Sequence, residues 1–248
     1  MACRIPADGP DACKVCGGKS VPAGAVDFAK NCEERRGVTL PATGTPIHYH
    51  RCTLCGLLYT RAFDGWSPAE FRRWIYNEDY ARVDPDYLAI RPAANAATVA
   101  NLMRRNAITR MLDYGGGNGG LARVLGAQGF NAVSWDPMEP GQAAPARRDF
   151  QIVTAFEVME HTPTPLATAR DMTDFAGAHG LVLFSTLVLD TATPRVVEHW
   201  YVAPRNGHIT IHTRRSLAAL FARLGWQVHH FGDAYHLAHR GNVHFGQG

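Results

Sequence analysis

Three groups of residues in this 248-residue chain have types and spacing that could do chemistry. The first is an acid followed by glycines, Asp113-Tyr114-Gly115-Gly116-Gly117-Asn118-Gly119-Gly120. Between a strand and a helix such a run turns tightly and lets a ligand approach the backbone. The helix behind it offers free N–H groups and the positive end of its dipole. A plain strand-to-helix connection explains the glycines equally well. Val133-Ser134-Trp135-Asp136 shifts the balance, because an acid ending the second strand of a doubly wound sheet accepts both hydroxyls of a ribose. Turn and acid together fit a nucleoside-containing cofactor, either a dinucleotide or S-adenosylmethionine (SAM). The run does not keep dinucleotide-fingerprint spacing. Asp113 would crowd a pyrophosphate, yet it suits the ammonium of a methionine moiety.

The second group is Glu157, Glu160 and His161, just after an apolar strand-like run. On a helical turn these positions share one face, where two carboxylates and an imidazole can hold a divalent cation or shuttle a proton. The simpler alternative is that Glu157 only contacts the cofactor and His161-Thr162-Pro163 only ends the turn. His199, Tyr201 and His208, further on, are general-base candidates. His212, His229, His230, His236 and His239 have no distinguishing spacing.

The third group is a pair of Cys-x-x-Cys motifs, Cys13/Cys16 and Cys52/Cys55, each followed by glycine and separated by 35 residues. Four thiolates are a tetrahedral set for a closed, structural zinc site. A following glycine suits a knuckle whose N–H groups point at sulfur. No basic-then-apolar leader opens the sequence, so disulfides are disfavoured and a cytoplasmic setting is expected. His48 or His50 are possible substitutes for one cysteine; Cys3 and Cys32 fall outside the pattern.

The elements that must position these groups are legible from periodicity. Ser67-Pro68-Ala69-Glu70 is a capping-box helix start, with Phe71, Trp74 and Ile75 on one face. A second helix is predicted from about Ala93 to Arg105, after a loop over 76–91. From residue 108 strands and helices alternate: strands over 108–114, 131–136, 150–156 and 181–185, and helices over 118–128, 165–176 and 214–224. Strands at 226–231 and 235–240 close the pattern. These elements give three expected blocks: a zinc-binding ribbon over 1–62, a helical linker or lid over 63–107, and a catalytic domain over 108–248. The linker carries Tyr76 and Tyr80, either as a lid with Tyr80 on the cofactor or as ordinary packing.

Leu112-Asp113-Tyr114-Gly115-Gly116-Gly117-Asn118-Gly119 resembles motif I of class I SAM-dependent methyltransferases. Residues 149–161 resemble their fourth strand with the loop after it, and residues 181–186 their fifth strand. The resemblance covers about residues 90–240. It implies a doubly wound, mostly parallel, seven-stranded Rossmann-like α/β sheet with its last strand antiparallel. Gly115 and Gly117 would line SAM, and Asp136 would hold its ribose. Pro137 to Arg148 departs from the family where a third strand is usual. Glu157-x-x-Glu160-His161 resembles ubiquinone-pathway O-methyltransferases and small-RNA 2′-O-methyltransferases. In those families the motif and a further histidine bind a magnesium-type ion, here matched by Pro204-Arg205-Asn206-Gly207-His208. The zinc module joined to a methyltransferase domain is similar to deoxysugar C-methyltransferases.

Composition narrows the reading. Forty-six per cent of residues are hydrophobic, enough for a core, and no run reaches the roughly 18 apolar residues of a membrane span. A net charge of +3 argues against a nucleic-acid coat. The expected activity is methyl transfer from SAM to a small molecule, a hydroxylated metabolite or nucleotide-linked sugar. Structural Zn2+ accompanies it, and Mg2+ is an option at the acid–histidine motif. The competing readings are an RNA methyltransferase that holds RNA with its ribbon and a non-catalytic SAM-binding or zinc scaffold.

Overall fold

The computed structural model describes residues 12–87, 90–139, 141–190 and 195–241; Cys3 lies outside them. In chain order its elements are β1 (Ser20–Asp27), β2 (Pro46–Cys52), β3 (Leu58–Thr60), α1 (Pro68–Trp74), α2 (Tyr80–Val83), α3 (Ile90–Arg105), β4 (Arg110–Tyr114) and α4 (Gly120–Ala127). There follow β5 (Asn131–Trp135), β6 (Phe150–Phe156), α5 (Pro165–Phe175), β7 (Ala176–Ser185), β8 (Thr210–Ile211), α6 (Arg214–Ala222), β9 (Gln227–His230) and β10 (Tyr235–His239). Short 3-10 turns occupy Cys32–Arg36, Pro85–Tyr87, Val196–Glu198 and Pro204–Asn206. No helix among the described residues is long and apolar enough to cross a membrane.

Two compact units interleave along the chain. One comprises residues 1–87, 159–166 and 187–219, and the other 88–158, 167–186 and 220–248. The expected consecutive blocks therefore do not coincide with the compact units, and the 63–107 segment is divided between them.

The second unit holds a six-stranded sheet in the order β5-β4-β6-β7-β10-β9. Strands β5, β4, β6 and β7 are parallel, while β10 runs antiparallel to both β7 and β9. The sheet is thus mixed, with one strand fewer than expected among the described residues. Asn131–Trp135 ends one edge, and the described residues of 137–148 form no strand. Pro137 and Pro145 bring no N–H to a ladder, which removes bonds a third strand would need. Central β4 lies between β5 and β6, so Asp113 is flanked by Ser134 on one side and Thr154 on the other. On α3, Ala96, Val99, Ala100 and Met103 recur at helical spacing. With Leu121 and Leu125 of α4 they bury Met111, Ile152, Leu183 and Leu237 of the sheet.

The first unit is built on an antiparallel sheet ordered β1-β2-β3-β8. Here the ribbon departs from expectation, because its fourth strand comes from residues 210–211. Leu58 pairs with Ile211 and Tyr59 with Thr210. The chain up to Thr60 carries too few apolar side chains to cover its own edge strand. The later segment supplies that cover: residues 210–211 pair with β3, and buried Val197 packs against Gly24 of β1. Helix α1 starts as read. Ser67 Oγ accepts the Glu70 N–H at 3.3 Å, and Glu70 Oε2 accepts the Ser67 N–H at 2.7 Å.

Fully buried Phe63 is the hub of an aromatic cluster in this unit, 4.6 Å from Trp66, 6.2 Å from Phe28 and 6.4 Å from Phe71 between centroids. Phe63→Ala is expected to lower unfolding free energy by about 3–5 kcal/mol and Phe63→Leu by clearly less. Urea-unfolding midpoints check both, and equal losses would contradict a packing role.

Candidate functional site

The glycine turn stands over a buried carboxylate. Asp113, only 4% exposed, accepts the Thr154 hydroxyl on Oδ1 at 3.0 Å. A Cβ on Gly116 would lie 2.5 Å from Asp113 Oδ2, so any side chain there would collide with the acid below. Gly115 is left-handed (φ +68°), and its Cβ would sit 2.7 Å from Val158 Cγ2. The turn therefore needs glycine at both positions. Burial pushes the Asp113 carboxyl up to about 7, against its Thr154 bond, and the charge of Asp136 adds to the effect.

Asp136 closes the turn from the side. Its Oδ2 accepts the Gly117 N–H at 3.0 Å and its Oδ1 accepts the Met138 N–H at 2.8 Å. Each oxygen keeps a second acceptor direction, which suits a vicinal diol. The space over Gly117 is open: a Cβ there would meet nothing within 4 Å. A cradle of this shape fits the nucleoside and amino-acid portions of SAM.

At the end of β6, Glu157 adopts a left-handed backbone (φ +54°) that a non-glycine residue rarely takes. Ser185, at the end of β7, accepts the Glu157 N–H at 2.9 Å and donates to Glu157 Oε1 at 2.8 Å. Arg91, in the first turn of α3, has NH1 3.7 Å from Glu157 Oε2. Neither Ser185 nor Arg91 stands out in the sequence. Ser185 merely ends an apolar strand run, and Arg91 lies well ahead of the glycine run with no local motif.

Glu160 and His161 lie in the other unit, with His208; one ligand atom from each falls within 4.8 Å of the others. Glu157 is not in this group, because residues 157–161 form turns and not the helix that would align all three. Tyr201 donates its hydroxyl proton to Glu160 Oε1 at 2.6 Å and accepts the Leu187 N–H at 3.0 Å. His208 Nδ1 lies 2.9 Å from the Tyr201 carbonyl and 3.7 Å from Cys32 Sγ. A carbonyl only accepts, so the proton is on Nδ1 and Nε2 is the basic nitrogen of the neutral ring. His161 packs edge-on to His208 at 4.9 Å, with Nδ1 3.2 Å from the Tyr76 hydroxyl.

His199 stands apart from that group. Its Nδ1 accepts the Tyr201 N–H at 3.2 Å, and burial together with nearby Lys30 lowers its pKa. Tyr80 belongs to the same unit, buried, with its hydroxyl directed to Asp84 Oδ2 at 3.3 Å and the Asn206 carbonyl at 3.5 Å. One carboxylate and two imidazoles make a nitrogen-rich donor set. Mg2+ demands oxygen ligands in octahedral array, so these residues do not fit it.

The four cysteines converge. Cys13 and Cys55 sulfurs are 3.6 Å apart and Cys16 and Cys52 sulfurs 3.4 Å, close to the roughly 3.8 Å edge of a tetrahedron with 2.3 Å zinc–sulfur bonds. The N–H groups of Leu54 and Cys55 point at Cys52 Sγ, each at 3.4 Å, and Val15 N–H at Cys13 Sγ at 3.5 Å. The hydrogen bond from Cys55 is the main cause that lowers the Cys13 thiol to about 5, while the same contact raises Cys55. The donor set and its knuckle geometry fit Zn2+.

A family profile described as a methyltransferase domain matches residues 72–231. The chain belongs to this methyltransferase family. No curated protein matches the chain by sequence. Among solved structures it is similar to the mitomycin 7-O-methyltransferase MmcR, with 13% identity over 72% of this chain and 62% of that one (TM-score 0.51). TnmH gives 15% identity over 67% and 60% (TM-score 0.49). The Burkholderia thailandensis 1,6-didemethyltoxoflavin-N1-methyltransferase gives 16% over 71% and 87% (TM-score 0.47). The chain thus spans less than two thirds of the length of TnmH and of MmcR, and the likeness to MmcR is one of fold.

The buried acid at the end of β4 fixes a pH dependence. Asp113 binds its proton more tightly folded than unfolded, so that stabilisation is complete below the ordinary carboxylate range. It is lost as pH rises through about 7. Asp113→Asn removes the loss, which is on the order of 4 kcal/mol at full ionisation. Without added ligand, the variant should melt above the wild type at pH 8, and the gap should close by pH 4. A gap independent of pH would contradict the buried-proton account.

Proposed function

We propose that this protein transfers a methyl group from SAM to a small-molecule acceptor, a hydroxylated metabolite or a nucleotide-linked sugar, and carries a structural zinc. The observation that carries the reading is the open glycine turn latched to Asp136. It offers a backbone surface and a carboxylate suited to a diol at the carboxyl ends of the parallel strands, where such folds take nucleosides. When bound, SAM supplies an electrophilic methyl group on sulfur. In this reading Gly115, Gly117 and Asp136 hold and orient the donor, and Glu157 contacts it. His208 Nε2 takes the acceptor's proton, with His161 beside it as the second candidate. Tyr201 donates to Glu160, its carbonyl binds His208 Nδ1, and the Glu160 carbonyl accepts the N–H groups of Ile209 and Thr210, so the two residues position the His208 ring and do not exchange the proton themselves. The near balance of charge up to Thr60, seven Lys/Arg against five Asp/Glu, favours a small acceptor over RNA.

Calorimetric titration with SAM tests the donor site. The wild type should bind, and Asp136→Ala should weaken binding by about tenfold or more, the worth of a lost charged hydrogen bond. Failure of zinc-loaded, folded protein to bind SAM would overturn the reading.

Zinc is tested separately. Cys13, Cys16, Cys52 and Cys55 should hold one zinc per chain by elemental analysis. Chelation should expose thiols to a thiol reagent and lower the melting temperature, and Cys52→Ser should do both without a chelator. Metal-free protein with unchanged melting would remove the zinc.

A further inference from the structure

The second cysteine knuckle is also the turn of a hairpin. Cys52 ends β2 and donates its N–H to the Leu57 carbonyl at 2.9 Å, and the Gly56 N–H returns to the Cys52 carbonyl at 3.0 Å. The strand that follows, β3, is three residues long, and its other neighbour, β8, is two. Strands so short do not hold a register by themselves. The turn sets it, placing Arg51 opposite Leu58 and Tyr49 opposite Thr60.

That register carries over to the residues around His208. Leu58 pairs with Ile211 and Tyr59 with Thr210, and the Thr60 N–H reaches the Ile209 carbonyl at 3.0 Å. The N–H groups of Ile209 and Thr210 go to the Glu160 carbonyl at 2.8 and 3.0 Å, and the Thr210 hydroxyl to the Thr162 carbonyl at 2.7 Å. Before this stretch, the Tyr49 hydroxyl of β2 donates to the His208 carbonyl at 2.8 Å. After it, the Thr213 hydroxyl donates to the Cys55 carbonyl at 2.6 Å, and a Cβ on Gly56 would lie 3.0 Å from Thr213 Cγ2. Tyr49, Thr60, Thr210 and Thr213 are all buried, which shields these bonds from water. Residues 208–213 are therefore tied to the cysteine hairpin at both ends, while their middle binds Glu160. Every residue in this chain of bonds belongs to the first unit; the glycine turn and Asp136 belong to the second.

We propose that zinc at Cys13, Cys16, Cys52 and Cys55 holds the acceptor's base in place, through Tyr49 and Thr213, and has no part in holding the methyl donor. Metal loss frees the hairpin turn, β8 loses its partner strand, and His208 and Glu160 lose the backbone that aims them. The donor cradle stays formed. Zinc occupancy is thus a control on the acceptor half alone. The proposal rests on the reading of His208 as the base.

Amide exchange and calorimetry on the full chain test this without an acceptor. Zinc-loaded protein is compared with protein stripped by a chelator under a thiol-free reductant. Stripping should speed exchange at residues 208–211 about a hundredfold or more and change the Kd for S-adenosylhomocysteine less than about twofold. With zinc still bound by elemental analysis, Tyr49→Phe should speed exchange at those residues about two- to tenfold, the worth of one hydrogen bond, and leave β4 unchanged. Thr213→Val should do the same, and Thr213→Ser should restore the slow rate. The proposal is overturned if stripping leaves exchange at 208–211 as it was, or if Tyr49→Phe and Thr213→Val both do. It is also overturned if stripping abolishes S-adenosylhomocysteine binding, which would make zinc a staple of the whole chain. Zinc-loaded protein that does not bind S-adenosylhomocysteine overturns the donor cradle, and the exchange rates still uphold or overturn the hold on His208.

Discussion

A carboxylate almost cut off from water lies at the end of the central strand, and the glycine turn is shaped around it. Asp113 cannot be buried without a donor, so Thr154 on the neighbouring strand supplies one. That bond depends on the register in which Asp113 faces Thr154 on one side and Ser134 on the other. A slip of one residue in either ladder would turn the partner to the opposite face. Above the acid there is room for backbone but not for a Cβ, which is why the chain has glycine at 116, while the left-handed turn against Val158 requires it at 115. Asp136 then fastens the turn through Gly117. Acid, turn and second acid are therefore one arrangement, with Asp113 beneath Gly116 and Asp136 on the N–H of Gly117, where the space over the backbone is open.

The parts of this arrangement that depend on local spacing were legible. The apolar periods of α3 and α4, the capping box at Ser67 and the strand before the glycines all occur where the residues place them, within a few positions. The two cysteine pairs converge because each x-x loop already presents two sulfurs to one side, so only one long-range contact remained to be formed. What depends on distant pairing was not legible. Nothing in Leu58–Thr60 or in Thr210–Ile211 announces that they pair; two short apolar strands have no individual signature. The seventh strand was expected by resemblance, although the prolines of 137–148 already argued against a ladder there.

Glu157 shows a subtler failure. Spacing of three and four residues aligns side chains only on a helix, and the grouping of Glu157 with Glu160 and His161 assumed one. The backbone at Glu157 is left-handed, which turns the chain at that point, and the first glutamate falls in one compact unit and the following pair in the other. A positive φ at a glutamate has no sequence mark. Its cause is tertiary, namely the hydroxyl of Ser185 that binds the residue at both backbone and side chain.

In the first unit the same logic of buried polar groups decides which atoms are left able to react. Lys30 is enclosed enough for burial to lower its pKa, and its ammonium donates to the carbonyls of His199 at 2.8 Å and Val202 at 2.6 Å. Arg205 binds the Ile75 carbonyl and Asn77 Oδ1, each at 2.8 Å. Two cations thus fix both sides of a segment that has little regular secondary structure of its own. With that backbone fixed, the Tyr201 carbonyl can impose a tautomer on His208, and the Tyr201 hydroxyl commits its proton to Glu160. One residue therefore supplies both constraints through different atoms. Of the groups gathered there, the tyrosine hydroxyl is committed to one oxygen of Glu160, while the His208 imidazole is oriented through Nδ1. The direction of that ring is set by the Tyr201 carbonyl and by the loop that Lys30 and Arg205 hold in place.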